Sequence, residues 1–585
     1  MESPFSFGPH NVSLSALTIT GKSPTTGYLV YTIREEMNMD QSRIRRVKCD
    51  EKKPACLKCV STGRACGGYP DPQGPSRPGS PTPGDALRII QHVPGILQPT
   101  RMWQVPQSPE LVHEAEYRAL EFFQLHTKNC FGSQIGTFLL QATYNEPIIR
   151  TVAIAIGSLH RTFVFDQQGL TASREATQFT LLNYNKAIRQ LVAVNPQTSS
   201  QTNDTFLIAC ILFFCFECLQ SNYKSAFRHA ISGLKIIKQQ QLLSDGSTLS
   251  RYMPPETITL LFGILENQIL EIHGDEILES ELRPAILSSF QHYAIDSSRP
   301  PSNVQEFLAS FQVLYNRFTR FEAVCEMLED STRDQAFEFV AQVQYIQTEF
   351  FQILSDLKTW VAIFDDWVNR PKLHKDDNSF LVSILKVWRA TIGILIRLEW
   401  PPSELSWDRF TVDFASITSL IAEMFGISAT TLFMRSSSPG TPSPDEPPPL
   451  PTSKPTSLPP LRPKPAKSVS STFSLSLGIV TPLYICATRC RESSTRHQAL
   501  FLLSYCQRRE GLWDSDLAGR IANRIVRIEE TAANISPGTE YHPSDILLSS
   551  RVRSLSPQFD EQKRIKVRYN REGDETGLTE EVFTW

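Results

Sequence analysis

The sequence predicts a mostly α protein: a small cysteine-rich N-terminal module, then a large all-helical domain with proline-rich linkers. Three observations lead there. Apolar residues recur at helical spacing through the middle of the chain, with few alternating runs of the kind strands need. Four cysteines and a dense set of cations occupy "RIRRVKCDEKKPACLKCVSTGRACGGY", Arg43 to Tyr69. Two stretches rich in proline, "YPDPQGPSRPGSPTPGD" from Tyr69 and "SSSPGTPSPDEPPPLPTSKPTSLPPLRPKPAK" from Ser436 to Lys467, cannot form a core and separate what can.

Taken in order, 1–41 is an atypical N-terminal segment, 42–69 the cysteine-rich module and 70–107 a proline-rich linker. The helical domain spans 108–435. Within it "NEPIIRTVAIAIGSLHR" has Asn145 as a cap, Pro147 in the first turn, and Ile149, Val152, Ile156 and Leu159 on one face. "LLNYNKAIRQLV" and "SAFRHAISGLKIIKQ" repeat the amphipathic pattern, and "FLIACILFFCFECL", Phe206 to Leu219, is apolar all round, which predicts a core helix. A second linker or loop covers 436–470, further helices of the same domain 471–560, and a tail 561–585 that admits a short strand.

The chain of 585 residues is 41% hydrophobic and 20% charged with a net charge of -3, the profile of a globular chain with more than one domain. Charge is uneven: between Arg43 and Arg64 eight cations face two acids, a local +6 that suits a polyanionic partner. The first thirty residues lack the basic start, apolar core and cleavage site of a secretory leader, and Phe206 to Leu219 is shorter than the roughly 20 residues that span a bilayer. No membrane association is expected. Twelve cysteines are too few for a disulfide scaffold in a chain this long, which predicts a reducing compartment with thiols free to bind metal.

Cys49, Cys56, Cys59 and Cys66 follow C-x6-C-x2-C-x6-C. Thiolates hold zinc in tetrahedral sets, and C-x2-C grips one ion from a single turn. The segment has little apolar surface beyond Ile44, Val47, Leu57 and Val60, so metal binding, of order 10 kcal/mol or more in small zinc modules, would supply its folding free energy. The cations are then presented on a rigid unit, where arginine can pair with guanine edges at about 1–3 kcal/mol of discrimination per contact and lysine neutralises phosphates.

From Arg43 to Tyr69 the chain resembles, without a gap, the fungal zinc binuclear cluster (Zn2Cys6) transcription factors. The resemblance implies a module in which six cysteines hold two zinc ions and a short helix reads a CGG-type triplet of double-stranded DNA. It implies Arg45 and Arg46 toward the bases, Arg43 and Lys48 toward phosphates, and Lys52 and Lys53 beside the loop proline. The second copy of the family's repeated C-x2-C-x6-C is intact as Cys56, Cys59 and Cys66, whereas the first keeps only Cys49, with Ser42 and Met39 at the other two positions. "TGYL", Thr26 to Leu29, resembles the "TGCL" that often opens the motif, and removing Val30 to Asp40 restores the spacing, as a misassigned exon boundary or a decayed module would. With four thiols the expectation is one zinc or none. "EYRALEFFQLHTKNCFG", "EPIIRTVAIAIGSLHR", "LIACILFFCFECLQSNYKSAFRHAISGLKII" and the block from Pro482 to Glu530 resemble the family's helical regulatory region.

The function expected is therefore nuclear, RNA polymerase II-type transcription regulation by a sequence-specific DNA-binding protein, with the transcription machinery or co-regulators as partners. Lack of a heptad run after Tyr69 leaves a homodimer to some interface other than a zipper. The alternative is a helical interaction protein of the same descent that has lost DNA binding. An enzyme is not expected: "CFEC", Cys215 to Cys218, lies in an apolar helix with Cys210 and reads as packing thiols; "ALTITGKS", Ala16 to Ser23, runs straight into Pro24; His126 and His160 sit within helical patterns as packed or exposed residues.

Overall fold

The computed structural model describes residues 113–166, 174–193, 203–243, 252–272, 300–330, 336–370, 379–399, 402–428, 430, 432, 472–560, 563–571 and 579–584. All belong to the unit Pro99–Trp585. Fourteen α-helices carry the described fold: α1 Glu114–Leu125, α2 Ser133–Asn145, α3 Pro147–Asp166, α4 Arg174–Val192, α5 Asn203–Leu219, α6 Tyr223–Leu243, α7 Pro255–Ile272, α8 Val304–Asp330, α9 Ala336–Val368, α10 Ser379–Leu395, α11 Thr411–Met424, α12 Val480–Arg489, α13 Ser493–Cys506 and α14 Ser515–Ala532. The mostly α expectation holds.

Two cores form. In the first, α3 packs against α1, α4 and α5, and α5 against α6. The run predicted as a core helix is α5, whose Ile208, Ile211, Leu212, Phe214 and Cys215 are wholly buried. Gly157 of α3 lets α1 approach so closely that a Cβ there would lie 2.1 Å from the Ala119 carbonyl oxygen. The stretch Pro147–Phe165 is apolar and long enough to cross a membrane by composition, but Ile149, Val152 and Ile156 on it are buried in this core. Asn145 is not the cap of α3. It is the last residue of α2, its side-chain amide donating to the Gln141 carbonyl at 2.7 Å, and Glu146 is the extended hinge between the two helices.

The second core gathers α8 to α13 around Phe307, Phe311, Trp360 and Trp388. Asn303 begins α8 by accepting from the amides of Gln305 and Glu306 at 3.1 and 3.0 Å. The block after residue 471 joins the two cores. In strand β1, Thr472–Ser474, and the residues that follow, Phe473 and Leu475 enter the first core and Leu477 and Ile479 the second. Helix α14 divides in the same way, Leu517, Ile521 and Ile525 facing the first core and Ala518 and Ala522 the second.

β1 pairs in parallel with β2, Arg508–Glu510, which pairs antiparallel with β3, Trp513–Asp514. β4 Val552–Phe559 lies at the end of the block expected to be helical. The tail after 560 holds two strands where a short one was expected, β5 Arg564–Arg571 and β6 Thr579–Thr584, and the three form an antiparallel meander in the order β4-β5-β6. Ile565, Val567 and Tyr569 alternate into the first core while Lys566 and Arg568 pair with Glu580 on the other face.

Candidate functional site

The predicted ligands Cys49, Cys56, Cys59 and Cys66 and the predicted DNA contacts Arg43, Arg45, Arg46, Lys48, Lys52 and Lys53 lie outside the described residues, as do both proline-rich linkers and Ala16 to Ser23. The helical unit shows what its own polar residues build.

The thiols among its described residues are structural. Cys130, Cys210, Cys215, Cys218, Cys486, Cys490 and Cys506 are free and buried. Burial pushes Cys210 up to about 12 and Cys215 and Cys218 well above the usual thiol range, which disfavours the thiolate that redox exchange needs. His160 is buried with Nδ1 3.0 Å from the Thr127 hydroxyl, and burial, with the nearby His126, lowers it to about 4. It is neutral and packed, as its helical setting suggests, and His126 is exposed. Among the described residues no group of three or more His, Cys, Asp or Glu side chains is placed to hold a metal ion.

Two polar centres stand out. The first is a buried ionic network that latches the last block to the second core. Glu529 of α14 accepts from Arg491 at 2.9 Å and from Arg496, and its Oε1 also takes the Val552 amide at 2.9 Å. Arg491 reaches on to Glu404 at 2.7 Å, and Arg551 grips Asp408 in a bidentate pair at 2.8 and 2.7 Å. Glu404 and Asp408 lie on the short 3-10 helix Glu404–Phe410, so one cluster ties four segments. Such pairs, once desolvated, fix an arrangement more than they add net stability.

The second centre is a cavity where the cores meet. Its empty space is about 310 Å³, mouth included, and α7 lines it with Ile264, Asn267, Gln268 and Glu271. Gln312 and Tyr315 of α8, Trp388 of α10, and Glu510 and Trp513 of the small sheet complete much of the wall. Glu510 caps α12, accepting from the amides of Ile479 and Val480 at 3.1 and 2.9 Å while Arg508 donates to it at 2.6 Å. Gly478 makes room for that carboxylate: a Cβ would sit 1.9 Å from its carboxyl carbon. Glu271 accepts from the Tyr315 hydroxyl at 2.6 Å and the Trp513 indole at 2.5 Å. Burial pushes its carboxyl up to about 7, against the hydrogen bonds from Tyr315, Trp513 and Thr481 and with Glu510 adding to the rise. Sequence reasoning singled out none of these residues, since most of their partners lie tens to hundreds of positions away.

Comparison with known proteins adds the part that the described geometry leaves out. The family model of the fungal Zn(2)-Cys(6) binuclear cluster domain matches residues 40–76. The aspercryptin biosynthesis cluster-specific transcription regulator atnN of Emericella nidulans is 33% identical over 596 aligned positions, covering 93% of this chain and 95% of that protein. The transcription regulator lscL of Purpureocillium lilacinum is 28% identical over 231 positions, 36% of this chain and 51% of that one. Transcriptional regulatory protein moc3 of Schizosaccharomyces pombe is 62% identical over 29 positions, 5% of this chain and 6% of that one. No solved structure matches. Similarity to atnN runs through the helical unit as well as the N-terminal region, since no short motif could cover 93% of the chain. The chain is a DNA-binding transcription regulator and belongs to the fungal Zn(2)-Cys(6) binuclear cluster family.

Proposed function

We propose that this regulator acts in the nucleus on RNA polymerase II promoters and reads a CGG-type triplet through residues 42–69. Arg45 and Arg46 contact base edges, Arg43 and Lys48 neutralise phosphates, and Lys52 and Lys53 support the loop. Cys49, Cys56, Cys59 and Cys66 hold the metal. Four thiolates suffice for one tetrahedral zinc and fall short of the six that the two-ion cluster uses, so the donor set fits one ion and not two. Bound there, zinc supplies the folding free energy of the module and no reaction chemistry.

The observation that carries this reading is the match of residues 40–76 to the cluster family in a chain that is also 33% identical to a transcription regulator over 93% of its length. The name of that relative extends the proposal one step: this chain controls the genes of a biosynthetic cluster, with co-regulators docking on its helical unit. A homodimer on paired half-sites is part of the proposal, through an interface other than a zipper.

The test is binding of the full chain to duplexes with and without CGG triplets across a salt series. A specific complex whose log affinity falls with log salt at about 0.9 per neutralised phosphate supports it, and loss of the complex on zinc chelation assigns it to the thiols. Weak binding that ignores both the triplet and the salt overturns it.

A further inference from the structure

The cavity where the cores meet is lined by two donors that have no acceptor among the described residues. Asn267 of α7 is 2% exposed and Gln312 of α8 3%, and neither the Asn267 Nδ2 nor the Gln312 Nε2 has a hydrogen-bond partner there. The orientation of Asn267 follows from its Oδ1, which accepts from the Asn316 amide at 2.7 Å and the Thr319 hydroxyl at 2.9 Å and so leaves Nδ2 as the donor. A buried donor left unmet costs about 1–3 kcal/mol, and two on one wall call for an acceptor.

The same wall holds acceptors with capacity to spare. An ionised carboxylate offers about four lone-pair sites. Glu271 uses three, on the Tyr315 hydroxyl at 2.6 Å, the Trp513 indole at 2.5 Å and the Thr481 side chain. Glu510 also uses three, on the amides of Ile479 and Val480 and on Arg508. One site is left on each.

Size and valence then narrow what can join these groups. The enclosed part of the cavity has room for about one water molecule. A cation has no lone pair with which to meet an N–H. A halide would accept from both carboxamides but would bring its charge against Glu271 and Glu510, with no lysine or arginine on the wall to offset it. Water accepts twice and donates twice, which matches two donors without acceptors and two carboxylates with one site each.

We propose that this space is a specific binding site for a single water molecule, which accepts from Asn267 and Gln312 and donates to Glu271 and Glu510. The four residues come from α7, α8 and the small sheet: Leu265 and Ile269 of α7 lie in the first core, and Phe311 and Leu314 beside Gln312 lie in the second. At this point the two cores therefore meet through a shared water. The inference goes beyond the DNA-reading function and does not depend on it.

The test uses the full chain, isotope-labelled at Asn and Gln, without DNA. Expected are water cross-peaks on the side-chain amides of both Asn267 and Gln312, with laboratory-frame and rotating-frame effects of opposite sign, the signature of a water that tumbles with the protein. Gln312→Leu removes one of the four partners at similar volume, and it should shorten the residence of the water seen at Asn267 about tenfold, read by magnetic relaxation dispersion of the solvent. The thermal midpoint reports whether that variant is folded, and Gln312→Met replaces it if it is not. Absence of the signature on both amides overturns the proposal. So does its presence on one amide alone, since the donors then share no water, or an unchanged residence time in the folded variant. Because no DNA is present, failure here is separate from failure of the DNA-binding reading.

Discussion

Glu529 and Arg491 form an ion pair at 2.9 Å in which both side chains are wholly buried. Breaking such a pair leaves an uncompensated charge out of water, at a cost of about 3–5 kcal/mol, because the remaining partner has nowhere to hydrate. Glu529→Gln should therefore lower the thermal midpoint of the full chain far more than the exposed Asp366→Asn, whose i,i+4 partner Arg370 is well solvated. Circular dichroism melts of the two variants side by side check this. Equal midpoints would mean that the latch between the last block and Glu404 contributes nothing.

The two centres respond to pH with opposite sign. Burial would raise Glu529, but Arg496 and Arg491 hold it down to about 2, so the stability it contributes is present above the unfolded carboxyl value near 4.5 and is lost as pH falls toward 2. Glu271 is raised to about 7, so its contribution is complete below 4.5 and is lost as pH rises through 7. The chain should be most stable near pH 5 and lose about 1–3 kcal/mol by pH 8, the upper limit reduced by the partial exposure of Glu271 to the cavity. Glu271→Gln should flatten that decline. Denaturant titrations at pH 5, 6.5 and 8 measure it, and an unchanged slope in the variant would assign the loss to another group.

What the sequence disclosed and what it hid divide by range. Helix α5 is legible because thirteen of the fourteen positions Phe206 to Leu219 are apolar or thiol-bearing, Glu217 being the exception, which leaves no polar face to misread. α3 is legible in its face and not in its start: Asn145 is a good cap by type, yet α2 continues through it and Pro147 begins the next helix one residue after the hinge. The tail meander was underread although Ile565, Val567 and Tyr569 alternate with Lys566 and Arg568, because a charged face and a short run resemble a solvated segment until the first core is there to cover it. The cavity and the ionic latch could not be read at all. Arg551 meets Asp408 across 143 positions and Leu512 meets Gln268 across 244, and nothing local marks either pairing. For the cysteine module the reverse holds: the local cysteine spacing, the cations around it and the resemblance of Arg43 to Tyr69 to the cluster family carry the family reading, which the match at 40–76 supports.

Thiol chemistry offers a separate check on the helical unit. With Cys215 and Cys218 buried and their thiols pushed up by burial, neither should react with an alkylating reagent in the native state at pH 7.5. Mass spectrometry after a short iodoacetamide pulse should find both unlabelled, and labelled only after unfolding in guanidinium. Rapid native labelling of either, or recovery of a Cys215–Cys218 disulfide under mild oxidation, would overturn the reading of "CFEC" as packing thiols.

A glycine tests the close approach at the cavity rim. Gly478→Ala brings a methyl group against the Glu510 carboxylate, 1.9 Å from its carboxyl carbon before relaxation, and the cap on α12 must shift to accommodate it. A loss of about 1–3 kcal/mol in denaturant titration is expected, the usual range for overpacking a filled site. A neutral outcome would show that Glu510 can leave the helix terminus at no cost.

The metal content of the intact chain decides how the reader works. Zinc per chain, by atomic emission on the purified full-length protein, should be at most one, since Cys49, Cys56, Cys59 and Cys66 can close a single tetrahedral shell. The double substitution Met39→Cys with Ser42→Cys restores the spacing of the missing half and should raise the content to two. Specific DNA binding should rise with it, because a second ion fixes the segment that carries Arg43, Arg45, Arg46 and Lys48. In that background Arg45→Ala or Arg46→Ala should cost about 1–3 kcal/mol on a CGG duplex and relax discrimination, whereas Lys48→Ala should weaken all duplexes alike and reduce the salt slope by about one. Two ions in the unaltered chain would show that residues other than these four cysteines complete the shell, and the assignment of the ligands would have to change.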